Sequence, residues 1–212
     1  LGVLAGRGYG KTRVGAEWIT RAVFEDESGF DSCVIAPTYQ DVKFTCFEGE
    51  SGILACSPDS ERPIWEPSKR RLTWPSGAIA TTYSAEEPDQ LRGPQHDAAW
   101  CDELAAWRYP DAWDQLQMGL RLGSDPRVCV TTTPRPTPLI KMLVADPMCH
   151  VTRGSTFENQ GNLAPQFINT IRRKYEGTRL GRQELYGEVV DDVEGALWSR
   201  DLIEASRVTE TP

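Results

Sequence analysis

The chain has 212 residues, enough for one domain and a small appendage. Hydrophobic residues make up 39% and charged residues 25%, so it can bury a core and is not a disordered segment. With 23 Lys and Arg against 31 Asp and Glu, the formal charge is −8, which excludes a protein that coats nucleic acid by net charge alone. No apolar run approaches the ~20 residues of a membrane span, so no membrane partner is expected. No signal peptide is visible. The six cysteines (Cys33, Cys46, Cys56, Cys101, Cys129 and Cys149) form no CxxC pair and there are only two His, which speaks against zinc and for reduced thiols. The chain opens on Leu1 inside an expected strand and reads as a piece of a longer protein.

Residues 1–5 (LGVLA) are a short apolar run that breaks into GRGYGKT. The segment after Lys11 reads as a helix with Val14, Trp18, Ala22 and Val23 on one stripe. SCVIAPT (32–38) is a second strand, residues 39–55 are helical, and the Pro- and charge-rich 57–69 is a loop. RRLTW and AIATTYS, joined by Pro75-Ser76-Gly77, predict a hairpin or two adjacent strands. AAWCDE (98–103) is a buried-type strand ending in two carboxylates, and PDAWDQLQMGLRL follows as a helix. RVCVTTTP and HVTRGST are further strands. A helix over 165–176 puts Phe167, Ile168, Ile171 and Tyr175 on one face. The acidic last twenty-odd residues resemble a linker. Strands alternating with helices predict an α/β fold with a mostly parallel central sheet flanked by helices.

The strand–AGRGYGKT–helix passage carries the most information. A Gly-rich loop between strand and helix points backbone N–H groups at a polyphosphate, at the positive end of the helix. Gly6, Gly8 and Gly10 allow close approach and positive φ. Lys11 then reaches the β- and γ-phosphates, and the Thr12 hydroxyl is offered to Mg²⁺. Gly6, Arg7, Gly8, Tyr9, Gly10, Lys11, Thr12 and Arg13 are the expected nucleotide-binding stretch. Ala5 stands where the usual pattern has its first glycine. The bland reading is a Gly-rich turn that merely caps a helix.

Asp102 and Glu103 end an apolar strand about ninety residues beyond Lys11. In P-loop enzymes of this class such an Asp holds Mg²⁺ and the adjacent Glu polarises the attacking water. The rival is an acidic first turn favoured by a helix dipole. Thr131, Thr132 and Thr133, ending the next strand, are placed to sense the γ-phosphate, against the plain β-propensity of Thr. Phosphoryl transfer builds charge that an arginine stabilises. Arg7, inside the loop, can act only within its own subunit. Arg92, in a Gly-Pro-containing loop ahead of the carboxylate strand, can project from a neighbour or simply pair with Asp89 on the surface.

Taken together, LAGRGYGKTRVGAEW, the Leu91–Glu103 run, TTTP and STFEN…YEGTRLGRQELYGE resemble the large terminase subunit of tailed bacteriophages and gene transfer agents, over about residues 1–198. The resemblance implies a RecA-like P-loop ATPase of the ASCE type that uses ATP and Mg²⁺ to drive double-stranded DNA into a prohead. It implies a homo-oligomeric ring, a pentamer by resemblance, that works with the portal protein and the small terminase subunit in the host cell cytoplasm, transiently docked on the portal. By position, Lys11 and Thr12 match the family's phosphate loop, and Arg7 the arginine many members carry there. Asp102 and Glu103 match the magnesium carboxylate and the catalytic glutamate, Thr131–Thr133 the coupling motif, and Arg92 an arginine acting in trans. The family's metal-dependent nuclease domain lies outside this sequence, so no DNA cleavage is expected of it.

The division expected is an ATPase core over 1–160, a small helical lid-like subdomain over 161–190 containing Gly177, Arg179, Arg182, Gln183 and Glu184, and a linker over 191–212. Two other readings stand beside this one: a helicase-like translocase, and a non-hydrolysing ring component with a vestigial nucleotide site. The only basic triplets, Lys69-Arg70-Arg71 and Arg172-Arg173-Lys174, are candidates for DNA contact or plain solvated surface.

Overall fold

The computed structural model describes residues 1–25 and 29–190; the expected linker therefore lies outside the described residues. Eight strands form one sheet in the order β3-β4-β5-β2-β6-β7-β1-β8. In chain order these are β1 (Gly2–Ala5), β2 (Asp31–Ala36), β3 (Ile64–Glu66), β4 (Arg71–Thr73), β5 (Ile79–Ser84), β6 (Ala98–Asp102), β7 (Arg127–Thr132) and β8 (Val151–Gly154). Every pairing is parallel except β3 with β4 and β4 with β5. The central strands β1, β2 and β6 are covered on both faces, which is why they read as continuous apolar runs. Towards the antiparallel margin β5 alternates half-buried and buried residues, the pattern of a strand with one wetter face.

The helices are α1 (Lys11–Glu25), α2 (Tyr39–Asp41), α3 (Ile53–Cys56), α4 (Asp111–Gly119), α5 (Pro138–Ala145), α6 (Pro165–Tyr175) and α7 (Arg179–Glu184). None is long and apolar enough to cross a membrane. Two cores lie on opposite faces of the sheet. Ile19, Val34, Phe47, Leu72, Trp74 and Trp100 pack under α1; Ile35, Leu91, Cys101, Leu116 and Ile140 pack under α4 and α5. The neighbours Val34 and Ile35, and Trp100 and Cys101, divide between the two cores, as the two-residue period of a strand requires. Helix α1 crosses directly over Trp100, and a Cβ at Gly15 would overlap the indole ring. Only glycine lets the helix come this close.

Several expectations change. The buried stripe of α1 is Gly15, Ala16, Ile19, Thr20, Ala22 and Val23, whereas Val14 and Trp18 are only half-buried. The expected helix over 39–55 is broken. Thr38 and Asp41 form a capping box that starts α2, which widens into a π-helical turn, Val42–Phe47, before α3. The wide turn buries Val42, Cys46 and Phe47 and leaves Phe44 exposed. The 57–69 loop contains β3, an edge strand held by β4. Phe167, expected on the inner face of α6, is 40% exposed; Ile168 and Ile171 pack with Leu185 instead.

Candidate nucleotide site

The sheet brings β1, β6 and β7 side by side, with Asp102 in register with Thr131 and Leu4 in register with Thr132. The phosphate loop, the two carboxylates and the three threonines, separated by up to about 130 residues in sequence, therefore end at the same level. They open into a cleft of about 920 Å³.

Inside the loop Gly8 (φ 71°) and Gly10 (φ 107°) take backbone conformations that other residues avoid. The Lys11 ammonium donates to Ala5 O (3.1 Å), Gly6 O (3.2 Å) and Thr133 Oγ1 (3.0 Å) and lies 3.8 Å from Glu103 Oε1. Burial lowers the Lys11 pKa, while Glu103 and Asp102 pull it back up.

Each threonine has its own duty. Thr131 donates to Asp102 Oδ1 (2.6 Å) and accepts from the indole N–H of Trp100 (2.7 Å). The Thr132 hydroxyl accepts from Ala105 N, two residues past Glu103 (3.1 Å). Thr133 joins both key side chains, its hydroxyl accepting from Lys11 and its N–H donating to Glu103 Oε2 (3.2 Å). Asp102 is 5% exposed, and burial pushes its carboxyl up to about 6 despite the Thr131 hydrogen bond. Glu103 sits in the left-handed region (φ 47°, ψ 44°), where its N–H reaches Thr131 O (2.6 Å) and its carboxylate turns into the cleft. A non-glycine residue held there is strained.

The other sequence-predicted residues divide. Arg7, Gly8, Gly10 and Thr12 line the cleft. Gly6 is buried in the base of the loop, with its N–H on Gly154 O. Tyr9 packs its ring against Gly154, and Arg13 reaches along α1 to Glu17; neither lines the cleft. Arg92 is also outside the cleft, exposed at the end of a short 3₁₀ turn that packs on α4, on the face of the sheet opposite α1.

Sequence reasoning placed Glu184 in the lid-like block without a role and did not single out Thr156 or Asn159, yet these brace the loop from the far end of the chain. Arg7 donates from Nε to Glu184 Oε2 (2.7 Å) and from its backbone N–H to Glu184 O (2.7 Å). Arg7 O accepts from Thr156 Oγ1 (2.6 Å), and Gly8 O from Asn159 Nδ2 (2.7 Å). Burial alone would raise the Glu184 pKa, but Arg7 holds it lowered. Arg135 also lines the cleft, and its place directly after TTTP was the signal available for it. Cys46, whose thiol lies 3.8 Å from Asp102 Oδ2, left no signal, because only the broken helix brings it there.

A family model for the large terminase subunit, T4likevirus-type, N-terminal part, matches residues 3–205. The chain belongs to this family. Its fold is that of terminase ATPase domains. The large terminase ATPase domain of Thermus phage P74-26 superposes with a TM-score of 0.69 at 16% identity, covering 89% of this chain and 87% of that one. The large terminase of another thermophilic bacteriophage, in complex with ADP, gives 0.71 at 15%, and that of bacteriophage HK97 gives 0.66 at 15%. Each covers 89% of this chain, and this terminase chain spans only about half of each, 48% and 46%. No curated protein sequence matches. The expected RecA-like core with a mostly parallel sheet is thus the family's fold.

Proposed function

We propose that this terminase domain binds ATP with Mg²⁺ in the cleft and hydrolyses it, and that the hydrolysis drives double-stranded DNA into a prohead. The observation that carries this reading is the convergence of Lys11, Asp102, Glu103 and Thr131–Thr133 on one cleft, with Lys11 and Glu103 3.8 Å apart and both held by Thr133. Backbone N–H groups at the start of α1 and the Lys11 ammonium take the phosphates. Glu103 orients a water and accepts its proton as the water oxygen bonds to the γ-phosphorus; the bond to the β–γ bridging oxygen breaks, leaving ADP and phosphate.

A hydroxyl and a single carboxylate suit Mg²⁺, which prefers hard oxygen ligands and completes its shell with water and substrate phosphates. Thr12, at the cleft wall, and Asp102 are the residues that would hold it, and among the described residues no cluster of three His, Cys, Asp or Glu forms a self-sufficient cage. The ion supplies positive charge against the phosphate oxygens. Arg7 acts on the phosphates of its own subunit. Arg92, outside its own cleft, acts on a neighbour's in a homo-oligomeric ring docked on the portal, with the small terminase subunit as a further partner in the host cytoplasm.

The test is ATP turnover and binding by purified protein. Glu103→Gln retains ATP binding and loses turnover by about 10²-fold or more, whereas Lys11→Ala loses binding itself. Full turnover in Glu103→Gln would sink the assignment.

A further inference from the structure

Trp100 sits behind the cleft rather than in its wall, fully buried on β6. It stands two residues before Asp102, so the period of a strand puts both side chains on the α1 face of the sheet. Asp102 is in register with Thr131 on β7, and Trp100 with Cys129. Thr131 is therefore the diagonal neighbour of the indole, within reach of a long aromatic side chain. The indole N–H donates to Thr131 Oγ1 (2.7 Å), and the Thr131 hydroxyl donates to Asp102 Oδ1 (2.6 Å).

The polarity of these two bonds is fixed from the tryptophan end. An indole N–H can only donate, and a hydroxyl has a single proton. A Thr131 oxygen that accepts from Trp100 therefore turns its own proton onto the carboxylate. The Cys46 thiol, 3.8 Å from Asp102 Oδ2, is a weak donor and leaves Thr131 as the strong partner. The same edge of the ring has a second neighbour. A Cβ at Gly15 would overlap Cε2, Nε1 and Cζ2, so α1 rides on the N–H edge of the indole. Gly15 lies one helical turn beyond Lys11 and Thr12, on the same side of α1.

We infer that Trp100 is a positioning residue for the two groups that would hold Mg²⁺: its ring sets the height of α1, and so of Thr12, over β6, while its N–H, through Thr131, sets the direction of the Asp102 carboxylate. One rigid side chain thereby fixes two ligand groups, far apart in sequence, against each other. The Asp102 backbone is held separately, its carbonyl accepting from Trp107 Nε1 (2.9 Å), so what Trp100 adds is the direction of the side chain. Mg²⁺ demands near-ideal octahedral geometry, and a small misplacement of one ligand is felt. The phosphate loop has its own braces in Thr156, Asn159 and Glu184, which do not pass through Trp100. The inference rests on the nucleotide and Mg²⁺ reading of the cleft and adds to it a residue outside the cleft.

Titration calorimetry of the 212-residue chain with ATPγS, once in Mg²⁺ and once in EDTA, tests it. The ratio of the two affinities is the metal increment, expected to be about 10-fold or more in the unsubstituted protein. Trp100→Phe, which keeps an apolar ring but no donor, should cut that increment by about 5-fold or more, with affinity in EDTA lowered by less than about 2-fold. Thr131→Val should do the same, and the double variant should lose little more than either alone, because both act on one line of bonds. Thr131→Ser, which keeps the hydroxyl, should retain the increment. An equal loss in Mg²⁺ and in EDTA overturns the proposal, since Trp100 would then serve packing alone. So does an unchanged increment in Thr131→Val, which leaves the indole in place and decides the matter should Trp100→Phe fail to fold. If the unsubstituted protein binds ATPγS with no metal increment, the assignment of Mg²⁺ to Thr12 and Asp102 fails; if it binds no ATPγS, the nucleotide reading itself fails, and either result takes this inference with it.

Discussion

Replacing Asp102 by Asn should make the ligand-free domain more stable while abolishing its turnover. The carboxyl is 5% exposed, and burial raises its pKa from 3.8 to about 6. Below pH 4 the group is protonated in both folded and unfolded chains and contributes no pH dependence. Between pH 4 and 6 the folded state holds a proton that the unfolded state has released, so stability falls as pH rises. Above pH 6 the loss is complete, and a rise of this size corresponds to about 3 kcal/mol. Asparagine removes this cost and keeps the acceptor for Thr131, but its Nδ2–H faces only the Cys46 sulfur, a weak acceptor that costs about 1 kcal/mol. The net gain at pH 7 is about 2 kcal/mol. Urea unfolding of both proteins in EDTA, from pH 4 to pH 8, measures it. The variant should be about 1 kcal/mol less stable near pH 4, cross the unsubstituted protein between pH 4 and 6, and lead by about 2 kcal/mol above pH 6. Parallel curves, or a less stable variant at pH 7, would refute the claim that the carboxylate is held charged against its burial.

Gly15→Ala drives a methyl group into Trp100, so either α1 or the β6 indole must move; a loss of at least about 2 kcal/mol in thermal or denaturant unfolding is expected, and a near-neutral substitution contradicts the packing described. Glu103→Gly should be more stable than Glu103→Ala by about 1 kcal/mol, because only glycine relaxes at φ 47°, and an alanine variant at least as stable as the glycine one argues against backbone strain at this position. For the ring, Arg92→Ala subunits mixed with Glu103→Gln subunits should recover partial ATP turnover that neither shows alone; mixtures that stay inactive at concentrations where rings form return the role to Arg7 or to Arg135.

The Gly-rich loop between β1 and α1 could be read directly because its pattern lies in consecutive residues. Glycines at alternate positions, then Lys11 and Thr12, form a local pattern, and the apolar run before it and the helix after it supply the context. Asp102-Glu103 and Thr131–Thr133 were legible for a related reason. Each closes a strand whose apolar run announces burial, and a parallel sheet delivers the ends of its strands to one edge. The same reasoning misjudged α1 and α6. Periodicity counted Val14, Trp18 and Phe167 as inner residues by size, whereas the approach of α1 to Trp100 selects its small face, Gly15 and Ala16, for the closest contact.

Residue types at fixed spacing thus determined by themselves the fold class and the placement of a Gly-rich loop between β1 and α1 and of two carboxylates at the end of β6, since each rests on a pattern of near neighbours in the chain. Only the tertiary structure decided which of the eight residues from Gly6 to Arg13 face the cleft, turning Tyr9 onto Gly154 and Arg13 onto Glu17. It alone brought Cys46 to Asp102, and Thr156, Asn159 and Glu184 to a loop some 150 to 177 residues earlier. The physical reason lies in the hydrogen bonds themselves. A buried backbone carbonyl or a desolvated carboxylate must find a partner, but any of several polar side chains can serve, so no residue type or spacing in the sequence marks which one folding will supply.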